Sequence, residues 1–153
     1  MLGLAYGESK SLGRILALRY FAGLRTAEAC RLREEDIHLD WGFVEVTALK
    51  SKTRQRRLVS IGPALAAWLE RGGRLPITQA NERFAALARL AAVKGVPWPH
   101  NATRHSFVSY HLAAGESAGK TALESGHSEA ILFAHYRAVV TKEQAQSFWA
   151  LRP

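Results

Sequence analysis

The chain is poor in sulfur, acid and long apolar runs. Of 153 residues only one is cysteine, Cys30, which excludes an internal disulfide and a thiolate metal cluster and fits a reducing cytosol. No apolar stretch approaches the roughly 18 residues of a membrane span. The opening MLGLAYGESK lacks the basic-then-apolar order of a secretory signal, so a cytoplasmic chain is expected. No GxxxxGK loop or HExxH pair occurs, which removes P-loop and zinc-protease readings and predicts no metal. Repeats and low-complexity segments are also absent, so one domain is read over residues 1–153.

What the chain has is base. Twenty-one Lys and Arg against thirteen Asp and Glu give a formal charge of +8 and a pI near 10.2. Such an excess favours a polyanion, nucleic acid foremost; the plainer alternative is a basic solvated surface without a partner. The distribution is uneven. No acid lies between Glu45 and Glu70, where Lys50, Lys52, Arg54, Arg56 and Arg57 cluster, and none between Glu82 and Glu116. With 48% hydrophobic and 22% charged residues, the rest reads as an ordinary globular chain.

Hydrophobic periodicity predicts a buried helix over 9–22 on Leu12, Ile15, Leu16, Leu18 and Phe21, closed by Gly23 and followed by a short helix over 26–32. Alternation over 43–49 and 57–61 predicts two paired strands with the basic run 50–56 at the hairpin tip. Further helices are expected from Pro63 to about 71, over 78–94 (stripe Phe84, Leu87, Ala88, Ala91), 101–114, 117–125 and 128–136. A last helix begins at a Thr141–Gln144 capping box and carries Phe148 and Trp149. The pattern is mostly helical with one small antiparallel sheet.

Five segments place unusual polar residues beside apolar ones: GLRTAE (23–28), KSKTRQRR (50–57), HNATRHSF (100–107), SGHS (125–128) and AHYR (134–137). Singly, each has a structural explanation. In order, they resemble the boxes of the tyrosine recombinase (phage integrase-like) family. The resemblance runs from residue 10 to 150 and includes a Gly126-His127 followed by Tyr136 nine positions later. It implies an α+β catalytic domain, mainly α-helical with a small antiparallel three-stranded β-sheet, that cuts and rejoins duplex DNA through a 3′-phosphotyrosyl intermediate.

By the resemblance, Arg25 and Arg104 fork onto the non-bridging phosphate oxygens, and Tyr136 is the nucleophile. Lys52 protonates the leaving 5′ oxygen, and His127 donates to the phosphate or orients the tyrosine. Glu28 supports the first arginine, and His105, which follows the second, buttresses the site from behind. The other hairpin cations, Lys50, Arg54, Arg56 and Arg57, are assigned to DNA. No cofactor is implied, since guanidiniums do the electrophilic work and the covalent ester conserves bond energy. His111 and His135 are read as structural and His38 as surface.

The sequence departs from the family pattern at one site residue. A histidine is expected three positions before the second arginine, where this chain has Asn101, with His100 one residue too early. Asn101 either caps the helix, replaces the histidine at the phosphate, or leaves that place to His100. The resemblance also implies a separate clamp domain for which the chain has no room, as in a catalytic fragment or a truncated gene. The expected partner is double-stranded DNA, bound as a tetramer by a protein that is monomeric when free. The tail helix would dock on a neighbour or, preferred for an isolated domain, on its own core. A non-catalytic DNA-binding remnant and a type IB topoisomerase-like enzyme are the alternative readings.

Overall fold

A computed structural model describes residues 1–51, 54–99, 101–115, 117–136 and 140–153. Lys52 and His100, both expected at the site, lie outside the described residues.

The chain begins with two helices, α1 (Leu2–Glu8) and α2 (Lys10–Phe21), divided at Ser9, whose extended backbone and side chain cap α2 at Leu12 N. Sequence periodicity missed α1, because its two glycines depress helix propensity. Tertiary packing supplies what propensity lacks: the buried Tyr6 stacks on Trp68 and its hydroxyl donates to the Trp68 carbonyl. Helix α2 is buried nearly all round, with Leu12, Ile15, Leu16, Leu18 and Phe21 in the main core, as its apolar pattern predicts. Even its arginines are covered. Arg14 donates to Gly73 O and Glu34, and Arg19 lies over the Phe84 ring.

After α3 (Thr26–Arg31) and a single 3₁₀ turn (Glu34–Asp36), three short strands form an antiparallel sheet in the order β1 (Ile37–His38), β2 (Phe43–Val46), β3 (Arg57–Ser60). Strand β2 ends three residues earlier than its pattern predicts, because Lys50 and Ser51 donate back to Thr47 O in a turn that leaves Leu49 94% exposed. The register pairs Val44 with Val59 and Val46 with Arg57. Strand alternation therefore sends Arg57 to the buried face beside Val59, while Leu58 and Ser60 face outward. This parity decides the fate of one predicted DNA contact.

The remaining helices are α4 (Pro63–Leu69), α5 (Ala80–Val93), α6 (Ala102–Ala113), α7 (Ala118–Ser125), α8 (Glu129–His135) and α9 (Lys142–Trp149). On α5, Leu87 and Ala91 are buried and Phe84 half-buried, but Ala88 is exposed, so the predicted stripe is narrower than drawn. Helix α9 lies on its own core: Phe148 stacks on Tyr110 at 4.2 Å, and Trp149 Nε1 donates to Tyr110 O. Among the described residues, no helix is long and apolar enough to cross a membrane.

Gly23 joins this frame to the site. Its φ of +61° is left-handed, a Cβ there would overlap the Phe107 ring, and its carbonyl accepts from Arg104 Nη1 at 2.7 Å. Gly23→Ala should lower the free energy of unfolding by about 2–4 kcal/mol, combining left-handed strain with overpacking. Gly7→Ala in α1, with open space around it, should be neutral or stabilising by up to about 1 kcal/mol. Urea denaturation of both variants checks the pair.

Candidate active site

The first arginine box folds as the turn into α3. Arg25 is the residue before the helix, and Glu28, one turn on, reaches back to accept from Arg25 N at 2.9 Å. The same carboxylate accepts from Arg25 Nη1 at 2.9 Å, and Arg25 Nη2 donates to Gly126 O at 3.0 Å. Two segments about a hundred residues apart are thus tied through one guanidinium, which stays partly exposed.

Glu28 itself is 1% exposed. Burial alone would raise its carboxyl, but bonds from Arg57 and Arg25 outweigh that and hold it down at about 2. The stronger partner is Arg57, with Nη2 and Nη1 at 2.6 and 3.2 Å from the two carboxylate oxygens. Sequence reading placed Arg57 on DNA; the structure instead buries it at 5% exposure inside this ion cluster.

The second box opens α6. Asn101 precedes the helix in the left-handed conformation, φ 55°, and its carbonyl accepts from Arg104 N and His105 N. Its side chain makes no capping bond, so of the three roles weighed for it, side-chain capping drops out. Arg104 is buried. Nη1 holds Gly23 O, Nε donates to His127 Nε2 at 3.3 Å, and buried Nη2 has no hydrogen-bond partner among the described residues. Burial and the nearby Arg25 charge pull Arg104 down to about 10, which leaves it cationic at neutral pH. An uncommitted donor on a desolvated guanidinium is set up to receive an anion.

His127 arrives by a helix stop. Gly126 ends α7 at φ +65°, and His127 N closes the turn onto Ala122 O. Burial, then the charges of Arg104 and Arg25, depress the imidazole to about 4, so it is neutral at pH 7 and its Nε2 accepts from Arg104. Ser125 Oγ, which donates to Thr121 O, lies 3.4 Å from Nδ1 and favours the Nδ1–H tautomer that this acceptor role requires. Ser125 was not singled out in the sequence; only its placement behind the imidazole reveals it.

Tyr136 follows α8 and is 7% exposed, in an apolar cluster with Phe107, Val108, Ala122 and Leu132. Its hydroxyl nevertheless reaches the exposed His105, 2.7 Å from Nδ1, and its ring centre lies 6.0 Å from that of His127. Burial raises the phenol while the Arg104 charge opposes it. His105, expected behind the site, thus contacts the phenol directly.

A cleft of about 560 Å³ opens between the hairpin and α7–α8, lined by Arg25, Arg56, Arg57, His127 and Ser128 among others. Tyr136 lines a separate groove with Leu132, Phe133 and Val140. On the hairpin, Arg54 is exposed and Arg56 forms a surface pair with Glu45 at 2.6 Å, the kind that water weakens. Lys50 is turned away from the cleft into an ion pair with the buried Asp36, at 2.5–2.6 Å, which contradicts its assignment to DNA. His111 is structural as expected, held by Thr121 and Glu124. His38 is half-buried between Trp41 and Phe43, and His135 is exposed rather than packed.

The depressed Glu28 carboxyl stabilises the fold fully above about pH 4.5, its unperturbed range, and that stability is lost as pH falls towards 2. By linkage the loss is of order 3 kcal/mol. Glu28→Gln should remove this part of the acid dependence while lowering stability at neutral pH, because Arg57 stays buried without its countercharge. Denaturation midpoints at several pH values between 6 and 3, taken as wild type minus variant, measure it.

No family model matches the chain. Among curated proteins it is 28% identical over 159 residues to the tyrosine recombinase XerD of Chlorobaculum tepidum, covering 88% of this chain and 51% of that protein. A tyrosine recombinase of Pseudothermotoga lettingae is 29% identical over 147 residues, with 85% and 50% covered. The chain thus spans about half the length of the curated relatives it matches. The fold is shared with a XerA recombinase crystal structure at a TM-score of 0.72 and 16% identity, covering 99% of this chain and 62% of that one. The catalytic domain of bacteriophage HP1 integrase gives 0.61 at 19% identity, with 99% and 84% covered. The Tn1549 transposon integrase, solved with transposon right end DNA, gives 0.63 at 16%, with 88% and 56% covered. The chain is thus similar in sequence to tyrosine recombinases and shares its fold with recombinase and integrase catalytic domains.

Proposed function

We propose that the chain is the catalytic domain of a site-specific DNA recombinase that breaks and rejoins duplex DNA through a covalent tyrosine. One observation carries this reading: Arg25, Arg104, His127 and Tyr136, from four separate segments, converge, and buried Arg104 keeps a donor without a partner among the described residues. A phosphodiester resists nucleophiles because it is already anionic, and the pentacoordinate transition state adds charge. Fixed guanidiniums in a partly desolvated site answer both demands.

In the proposed step, Tyr136 Oη bonds to phosphorus as the bond to the 5′ oxygen breaks. The phenolic proton passes to His105 Nδ1, which already sits within hydrogen-bond reach. Arg25 and Arg104 hold the non-bridging oxygens, with His127 keeping the Arg104 fork oriented. Lys52 protonates the departing oxygen. Return attack by a 5′ hydroxyl restores the backbone, so neither ATP nor a metal is needed. Arg54 and Arg56 contact the DNA backbone. Recombination engages four protomers on two duplexes, while the free protein is monomeric. Residues 1–153 serve as one catalytic domain, with cytoplasmic DNA as its target.

A duplex carrying a 5′-bridging phosphorothiolate tests the chemistry, because the sulfur leaving group cannot religate efficiently and adduct accumulates. A denaturation-resistant adduct is expected from wild type and none from Tyr136→Phe. Arg25→Ala and Arg104→Ala should each slow adduct formation by about 10²-fold or more. Arg104→Lys guards against a mere folding defect, because it keeps the charge and loses the fork. If the folded wild type binds duplex but forms no adduct, the non-catalytic remnant is the correct reading; relaxation of supercoils without sequence preference would indicate the topoisomerase.

Asn101→His restores the histidine that the family pattern expects and should leave the adduct rate unchanged or raise it. A large loss, measured on the same substrate, would give Asn101 a role of its own at the phosphate.

A further inference from the structure

We propose that Arg57 is a positioning residue: from the floor of the sheet it sets both the first catalytic arginine and the histidine turn, and it does not touch DNA. This inference rests on the recombinase reading for its consequence, but its geometry stands independently. The guanidinium is buried, and each of its three nitrogens is committed. Nη1 and Nη2 grip Glu28, and Nε donates to the Glu124 carbonyl at 2.9 Å. Glu28 is the residue that aims Arg25. Glu124 is the penultimate residue of α7, two before Gly126, whose carbonyl holds the far side of Arg25 and whose turn delivers His127.

The two paths from Arg57 therefore meet again at Arg25, one through α3 and one through α7. Gly126 sits directly over this junction. A Cβ added there would lie 3.4 Å from the Arg57 guanidinium and 3.5 Å from Arg25 Nη1. Strand β3 is fastened to α7 a second time where Ser60 Oγ donates to the Glu124 carboxylate at 2.7 Å, and that carboxylate also pairs with His111. A planar, permanently charged fork suits this three-way joint; an ammonium carries the charge but cannot hold three fixed directions. The paired buried charges are expected to bring specificity of arrangement more than net stability.

The test is Arg57→Lys, which keeps the charge, read in three ways. First, duplex affinity and its salt dependence should match wild type within about twofold. Second, adduct formation on the phosphorothiolate duplex at saturating protein should slow by at least tenfold. Third, the His127 ring, followed by NMR, should titrate at higher pH than in wild type, because a loosened turn weakens its bond to Arg104. A lysine variant with wild-type cleavage and an unmoved His127 titration overturns the proposal. So does a salt slope reduced by about one with cleavage falling only in proportion to binding, the mark of a direct phosphate contact.

Should the lysine variant fail to fold, the wild-type Arg57 Nε–H signal decides the matter. It is expected to be protected from exchange and unmoved by added duplex, and a shift on duplex addition comparable to that of Arg56 would refute the assignment. The His127 titration and the Nε–H signal need no activity. A wild type that forms no adduct would therefore count against the recombinase reading alone, leaving the placement of Arg57 to be judged on these two signals.

Discussion

The structure depends on one buried carboxylate. Glu28 is nearly inaccessible yet ionised, which is tolerable only because Arg57 and Arg25 neutralise it from two sides. Stripping a carboxylate of water costs several kcal/mol, and only well-directed bonds offset that cost. The requirement has a geometric result. Elements α3, β3 and the end of α7, distant in sequence, cannot drift apart without leaving a charge alone in the interior.

That constraint also concentrates positive charge as a by-product of folding. Two guanidiniums grip one carboxylate and a third, Arg104, lies within electrostatic reach, so positive charge exceeds negative where Arg25, Arg57 and Arg104 approach each other. Burial, reinforced by this excess, pulls Arg104 down to about 10 and His127 to about 4. A bound anion would offset the charge part of both shifts. Gly23 belongs to the same design, since its left-handed turn puts a carbonyl where Arg104 can be anchored without using its remaining nitrogen.

Much of this was legible in the chain. Helical periodicity in 9–22 foretold the buried α2, and alternation in 43–49 and 57–61 foretold the hairpin, because those patterns report burial one residue at a time. Where burial was decided by something distant, reading failed. Helix α1 exists because Tyr6 finds Trp68, a partner sixty-two residues away. Arg54 and Arg57 sit in one basic run and look alike in sequence, yet one is exposed and the other is in the core.

Sequence by itself determined the inventory: a basic, mainly helical chain with two arginine boxes, a lysine hairpin, and a histidine and tyrosine nine positions apart. Those are properties of local order, and local order is what a sequence carries. Tertiary structure alone decided which cations face solvent and which are spent on internal carboxylates, turning Lys50 to Asp36 and Arg57 to Glu28. The reason is strand parity and loop closure: a side chain's face is fixed by the register of its partner strand, and the countercharge it meets comes from a segment that only folding brings near.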